Sequence, residues 1–456
     1  MRSILNSASE IGAPRPDEIS RLMRSLLIDR ALRGELFSYS NSIAAEEKSL
    51  NEEKETPFTI PNNWQWKHVA DCVQFNPKVI QDDAAEVSFI PMADVEPGFV
   101  DHCSTRQIKL WAKVKKGFSR FQEGDLLVAK ITPCFQNRKS CIAKNLISGT
   151  GAGSTEFHVI RCVSDVDAKF LLYFFKSEYF IRYGVNHFNG TVGQQRVGAQ
   201  DIKDCLIPVP PFDEQTRIVE KLEEAFDEID RAEKAYDELQ TLAGVLRGQI
   251  LQEAIQGKLV PQSDSEPVVE QIGEVTSRIP FTIPEKWKWV QLKSVGQIVG
   301  GGTPKTSVAD YWGDEISWVT PADLGKNSSK WIHSGAKSIT RKGLDESSAK
   351  LMPEGSVVYS SRAPIGHIAI AGQELCTNQG CKSFVPNTDL ITTEWAYYML
   401  IARTKDIQSR ASGTTFKEIS GKGMGETWIA LPPPGEQQRI VTKIEDLLNL
   451  VDALTA

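Results

Sequence analysis

Apolar residues recur beyond Phe212 in alternating steps of four and three: Ile218, Leu222, Ala225, Ile229, Ala232, Tyr236, Leu239, Ala243, Leu246 and Ile250. That spacing keeps one helical face apolar over many turns. It is the a/d seam of a coiled coil, whose partner must be another helix. A Pro-Pro step and Asp213 mark the start, and Gly257 with Pro261 marks the stop. The pattern predicts a helix over 212–262, of which the about 45 residues from Asp213 to Gly257 would span roughly 65 Å at about 1.5 Å per residue. Ile440, Ile444, Leu447, Val451 and Leu454 keep the same steps near the C-terminus, and Met23, Leu27 and Ala31 fall on the seam near the N-terminus. Elsewhere the apolar runs are short. In "FQEGDLLVAK" and "LMPEGSVVYS" a Glu-Gly precedes such a run, which reads as a turn into a strand.

The chain also repeats itself. "PFTIPNNWQWKHV" from Pro57 is matched by "PFTIPEKWKWVQL" from Pro280, so Phe58 and Phe281 lie 223 residues apart. "IDRALRGELF" is matched by "LQEAIQGKLV", with Gly34 and Gly257 again 223 apart. "PVPPFDEQTRIVEKLEEAFDEID" is matched by "LPPPGEQQRIVTKIEDLLNLVD", with Arg217 and Arg439 222 apart. Three separate matches at an offset of 223, or 222 after a one-residue shift, indicate a tandem duplication. The C-terminal helix corresponds to the first half of the central helix, and the N-terminal stretch from Asp17 to Phe37 to its second half. Laid end to end, the two terminal helices rebuild a second central helix, so the duplicated unit is circularly permuted. The expected fold is α/β: two pseudo-twofold-related α/β domains on a long antiparallel coiled-coil spacer. The boundaries are an N-terminal helical arm over 1–56, a first domain over 57–211, the central helix over 212–262, a linker and second domain over 263–434, and a C-terminal helix over 435–456.

Composition bounds the function. With 456 residues, about three compact units are expected. A hydrophobic share of 41% and a charged share of 24% are those of a globular chain. The net charge of −7 excludes a uniformly basic coat but not a basic face. It hides an asymmetry. Asp213 to Glu238 holds eleven acidic and four basic residues, whereas Thr105 to Asn145 holds ten basic residues against Glu123 and Asp125 alone. No apolar run is long enough to span a membrane, and the first residues lack a signal-type apolar stretch. Eight cysteines form no CxxC pair, so free thiols in a reducing cytoplasm are expected.

Catalytic motifs are missing from the sequence. Its six histidines show no HExxH spacing. "GGTPKT" from Gly301 departs from a phosphate loop, so Lys305 reads as a loop cation. "GTGAGS" and "GKGMGE" are not followed by a ribose-binding acid in a clear βαβ unit. A catalytic role is therefore not expected, nor a metal or cofactor bound by this chain.

The duplicated frame, the PP…EQxRIV start of each long helix, the "GKLVPQ" after the central helix and the W-x-W opening of each domain resemble type I restriction-modification specificity subunits. "GDLLVAKITPCFQNRK", "GSTEFHVIR" and "GGTPKTSVADYWGDEISWVTPADL" are similar to blocks in that family's target recognition domains. The resemblance covers about Asp17 to Ala456. It implies a non-catalytic subunit whose two recognition domains each read one half of a split, asymmetric site in double-stranded DNA. It also implies a helical spacer that sets the distance between the halves, about one DNA turn or roughly 34 Å. Two methylation subunits, carrying S-adenosylmethionine for adenine-N6 methylation, and restriction subunits would assemble on it.

Arg pairs bidentately with guanine and Asn or Gln with adenine. The favoured DNA contacts in the first domain are therefore Lys130, Thr132, Asn137, Arg138 and Lys139, with Asn189, Gln194, Gln195 and Arg196 as a second cluster. In the second domain they are Thr303, Lys305, Thr306, Arg362, Asn378, Gln379, Lys382, Thr414, Thr415 and Lys417. Trp312 and Trp318 fit core packing better than stacking on sugars. The competing reading is a coiled-coil scaffold whose domains bind protein. A basic 105–145 segment gathered on one concave face favours DNA, and its dispersal favours the scaffold.

Overall fold

A computed structural model of the chain describes residues 15–36, 56–103, 107–163, 165–191, 193–275, 279–413 and 417–455. The chain divides into two compact units, Met1–Tyr236 and Asp237–Ala456. One helix, Phe212–Ile255, contributes to both. It ends two residues before Gly257, short of the residue 262 that the seam suggested.

In the first unit a five-stranded sheet runs in the order Val73–Phe75, Phe157–Cys162, Leu126–Ala129, Ser140–Ala143, His102–Cys103. All pairs are antiparallel except the last. Leu126–Ala129 and Ser140–Ala143 are buried at every residue, which is why these runs are apolar or small without polar alternation. A second, four-stranded sheet orders Ile108–Leu110, Glu86–Ile90, Thr150–Gly153 and Ser119–Gln122. Helix Ala168–Lys176 places Phe170, Leu171, Phe174 and Phe175 in the core beside Leu126, Val128 and Ile160.

The second unit repeats the five-stranded order with Gly296–Gly300, Lys382–Pro386, Val357–Tyr359, Ile368–Ala371 and Trp331–Ile332, again with only the last pair parallel. The smaller sheet differs. It orders Trp312–Gly313, Lys337–Ile339, Ile316–Val319 and Cys376–Thr377, so its edge strand comes from the "DYWGDE" segment. Trp318 is buried with Nε1 donating to Gly302 O at 2.9 Å, and Trp312 packs edge-on against it at 5.2 Å. The core reading of both tryptophans fits this placement.

The repeated EQ motif has a structural cause. Gln215 is fully buried; its Oε1 accepts from the Asp167 amide at 2.8 Å, and its Nε2 donates to Asp165 O and Pro210 O. Gln437 does the same for the Thr392 amide, Leu390 O and Pro432 O. Each glutamine closes the backbone polar groups where a long helix meets its domain, groups that would otherwise be buried without partners. The repeated glycine is equally specific. Gly34 and Gly257 adopt φ of 73° and 69°, and a Cβ on either would stand 2.4 or 2.3 Å from a ring carbon of Pro61 or Pro284.

Helix Pro16–Leu32 lies against the first part of the long helix, where Arg24 pairs with Asp230 and, at 3.5 Å, Glu233. Helix Pro434–Thr455 lies against its last part, where Arg247 pairs with Asp452 at 2.6 Å. The seam is covered only in part. Ile218, Leu222, Ile229, Ala243 and Ile250 are buried, whereas Ala232, Leu239, Leu246, Met23 and Leu454 are exposed. Burial follows the domain cores: Phe99 and Tyr173, for example, pack on Phe226 of the long helix. Among the described residues no helix is long and apolar enough to cross a membrane.

Candidate nucleic-acid interface

Two clusters that are separate in the sequence of the first unit meet in the fold. The loop after Ala129 and the hairpin Phe188–Asn189/Arg196–Val197 are joined by backbone bonds from Val197 N to Lys130 O and from Thr132 N to Gln195 O, both 3.0 Å. Ile131 and Arg196 form a bridge. Lys130 and Thr132 thus share one edge with Asn189, Gln194, Gln195 and Arg196, while farther along the loop Asn137 O accepts from Gly98 N. Asn189 and Gln194 are exposed on it, and Asn137 is exposed in the loop.

The cations of this edge and its loop are not equivalent. Arg196 donates from Nε and Nη2 to both oxygens of Glu156 at 2.9 Å, and from Nη1 to Gln194 O. These bonds hold the Glu156 carboxyl below the usual carboxylate range. Arg138 turns inward: Nε donates to Lys176 O at 2.9 Å, Nη2 reaches Glu178 at 2.6 Å, and the side chain is 15% exposed. It therefore braces the loop. Lys139 Nζ donates to Met92 O at 3.3 Å. Lys130 lines a cavity of about 500 Å³ with Asn76, Phe118, Arg120 and His158. Burial pushes the His158 imidazole down, toward its neutral form, and its Nε2 donates to Val197 O at 3.1 Å.

In the second unit the predicted residues also converge. Thr303 donates to the Gln379 side chain. Lys382 Nζ donates to Gln379 O and Glu418 Oε1, both at 3.1 Å, and Arg362 Nη1 lies 3.6 Å from Glu418 Oε2. Asn378 Oδ1 accepts from the Gly380 amide at 2.9 Å. Lys305, Thr306 and Lys417 are exposed. A Cβ on Gly301 would lie 1.9 Å from Asn378 O, so this Gly-rich loop packs onto the 378–382 turn. Thr414 and Thr415 lie outside the described residues.

The cations of the basic 105–145 segment are divided between two sheets, and several have partners of their own. Lys109 lies over the Phe89 ring, Lys115 pairs with Asp83 and Lys144 with Asp101. The division is physical: 108–110 and 119–122 belong to the smaller sheet, 126–129 and 140–143 to the larger. Acids outside the segment meet its cations, which a sequence window cannot register. Arg106 lies outside the described residues.

The profile of the type I restriction modification DNA specificity domain matches residues 61–241 and 284–456. The chain belongs to that family. It is 28% identical to the type I restriction enzyme EcoAI specificity subunit of Escherichia coli, over 95% of this chain and 89% of that protein. It is 37% identical to the MjaIX specificity subunit of Methanocaldococcus jannaschii over 37% of this chain and 40% of that one. Among solved structures, the HsdS subunit of Thermoanaerobacter tengcongensis aligns over 89% of this chain and 94% of its own at 22% identity and TM-score 0.61. A chain of another type I R-M system reaches TM-score 0.66, also at 22% identity, over 88% and 93%. These two likenesses concern the fold.

Two polar residues of the specificity-domain edges escaped the sequence reading: Glu156 and Glu418. An isolated acid carries no signal for DNA contact, and only the fold sets each beside its cations. For Glu156, the one available hint was its place inside the "GSTEFHVIR" block.

Proposed function

We infer that this chain is the DNA-reading specificity subunit of a type I restriction-modification complex, recognising a split, asymmetric site with one unit per half. The observation that carries this reading is a common backbone edge with different contents. In each unit the same strand order ends in a loop joined to a short antiparallel pairing, Asn189 with Arg196 in the first and Ser412 with Glu418 in the second, and the exposed polar residues there differ. Base edges are told apart by such groups, whereas phosphate contacts only position the protein. A chain with two unlike edges would read two unlike half-sites. The dispersal of the basic segment, which would favour a protein-binding scaffold, weighs less than this convergence in both units.

The chain itself performs no chemistry in this reading. Two methylation subunits, carrying S-adenosylmethionine for adenine-N6 methylation, and restriction subunits dock on it in the cytoplasm. The exposed apolar residues Ile19, Leu22, Met23 and Leu26 support a docking role for the helical region. The ion pairs support a circularly permuted spacer. Arg24 and Arg247 stand 223 residues apart, their partners Asp230 and Asp452 stand 222 apart, and both offsets are those of the duplication. The test is single-molecule sequencing of host DNA with and without this gene, scoring N6-methyladenine. A gene-dependent, bipartite, asymmetric motif is expected. Its absence, with the methylation subunit expressed, would overturn the reading.

A further inference from the structure

The two reading edges can be superposed residue by residue through their backbone bonds. Lys130 N donates to Glu156 O and Lys130 O accepts from Val197 N; Ser361 N donates to Gly380 O and Ser361 O accepts from Ile419 N. The next residues, Ile131 and Arg362, bridge Arg196 and Glu418 respectively. Arg196 and Glu418 therefore occupy the same hairpin position, with opposite charge. In the first unit the hairpin supplies the cation and the position before strand Phe157–Cys162 supplies the acid. In the second the hairpin supplies the acid, which holds Arg362 and, from strand Lys382–Pro386, Lys382. Glu418 also accepts from Ser361 Oγ at 3.3 Å.

We propose that Glu156 and Glu418 are positioning residues for half-site specificity: each fixes its edge's cations before DNA arrives, with the polarity of the latch inverted between units. This rests on the DNA-reading function above. Specificity is a difference between affinities for the right and the wrong sequence. An untethered guanidinium or ammonium on an exposed edge pairs with any phosphate and raises binding to all DNA alike. A cation held by a carboxylate keeps one direction and loses little side-chain freedom when it meets its target. Arg196 is suited to this. Its two bonds to Glu156 fix the guanidinium plane, and its side chain remains 42% exposed.

The test uses the full chain assembled with its methylation subunits and two variants, Glu156→Gln and Glu418→Gln, which remove charge but little volume. Each is used to select from a random-sequence duplex library, and amide hydrogen exchange is followed at Val197 and Ile419. Glu156→Gln is expected to blur one half-site by about ten-fold in preference and leave the other sharp, with Glu418→Gln doing the reverse. Affinity for random DNA and its salt dependence should rise in both. The matching amide should exchange faster, and Glu156→Asp or Glu418→Asp should restore part of the preference. Wild-type exchange rates in the Gln variants would overturn the latch. Half-sites that stay sharp despite faster exchange would overturn its role in specificity, as would equal blurring of both halves. A wild-type selection with no motif would overturn the DNA reading itself.

Discussion

The two units agree where they hold themselves together and disagree where they face outward. Gln215 and Gln437 make the same three buried bonds, and Gly34 and Gly257 meet equivalent prolines, Pro61 and Pro284, at nearly the same distance. Yet the hairpin position occupied by Arg196 in one unit is Glu418 in the other. A buried polar group has few solutions, because each unmatched donor or acceptor costs about 1–3 kcal/mol. An exposed edge has many, since water satisfies whatever stands there. The duplicated frame thus constrains its interior closely and leaves its edges free to differ. Even the frame shows some drift. Trp287 Nε1 donates to Glu436 at 2.9 Å, while its counterpart Trp64 has no partner for Nε1 among the described residues and Glu214 instead accepts from Asn63.

The largest effect should come from the shared frame. Gln215→Leu strands the Asp167 amide and two carbonyls, and Gln437→Leu does the same at Thr392. Each should destabilise by about 3 kcal/mol. Site-resolved hydrogen exchange should show the loss only in the unit that carries the change. Comparable losses would support equivalent frames, and a negligible cost at either site would break that part of the comparison.

A difference inside the cores gives the first unit a buried lysine that the second lacks at the matching position. Lys176 and Ile401 are both the ninth residue of helices that start after Asp167 and Thr392. Lys176 is fully buried, and its Nζ donates to Gly98 O at 2.6 Å and Arg138 O at 3.0 Å. Burial brings its pKa down to about 7. The unfolded chain, titrating near 10.4, then binds more protons than the folded one between the two values, so stability rises with pH across that window. Below about pH 7 both states are charged and the burial penalty stands in full. Lys176 should contribute a rise of about 2 kcal/mol between pH 7.5 and 9. Against it act the buried thiols of Cys72, Cys141, Cys162 and Cys205, whose raised pKa values make stability fall as the pH passes the ordinary thiol range. The stability difference between wild type and Lys176→Met should therefore change by about that amount. Unfolding free energies measured for both proteins across that range decide the matter. An unchanged pH slope in Lys176→Met would place the dependence elsewhere.

Much of the frame was legible because it is periodic or repeated. The four-three seam showed the long helix, the Pro-Pro step before it marked its first residue, and the offset of 223 showed the repeat. The end of the helix was overrun because the predicted range ran on to Pro261, whereas the left-handed Gly257, the first of the two stop signals, already closes it. The site was legible as loops but not as partners. Lys130 and Arg196 were both singled out, yet nothing linear indicates that residues 66 positions apart share an edge. Arg138 illustrates the other failure. A lone arginine in a polar loop suits guanine, but a positive φ of 56° and the nearby Lys176 carbonyl and Glu178 turn it inward.

The smallest effect lies on the helices. Arg24 and Arg247 stand at equivalent positions, but their surroundings differ. Arg24 is 13% exposed, meets two acids and lies 5.8 Å from the Phe226 ring centre, whereas Arg247 is 35% exposed and meets one acid, Asp452, with a further bond to the Thr455 hydroxyl at 3.3 Å. An exposed pair contributes a few tenths of a kcal/mol, and coverage with an aromatic face raises that figure. Arg24→Ala should therefore cost about 1 kcal/mol and Arg247→Ala about half as much. Added salt should shrink the second loss more than the first, because screening acts on exposed charges. Thermal unfolding of both variants at low and high salt measures the two differences. Equal losses with equal salt dependence would mean that the helix pairs, like the buried glutamines, belong to the part of the molecule in which the two units are alike.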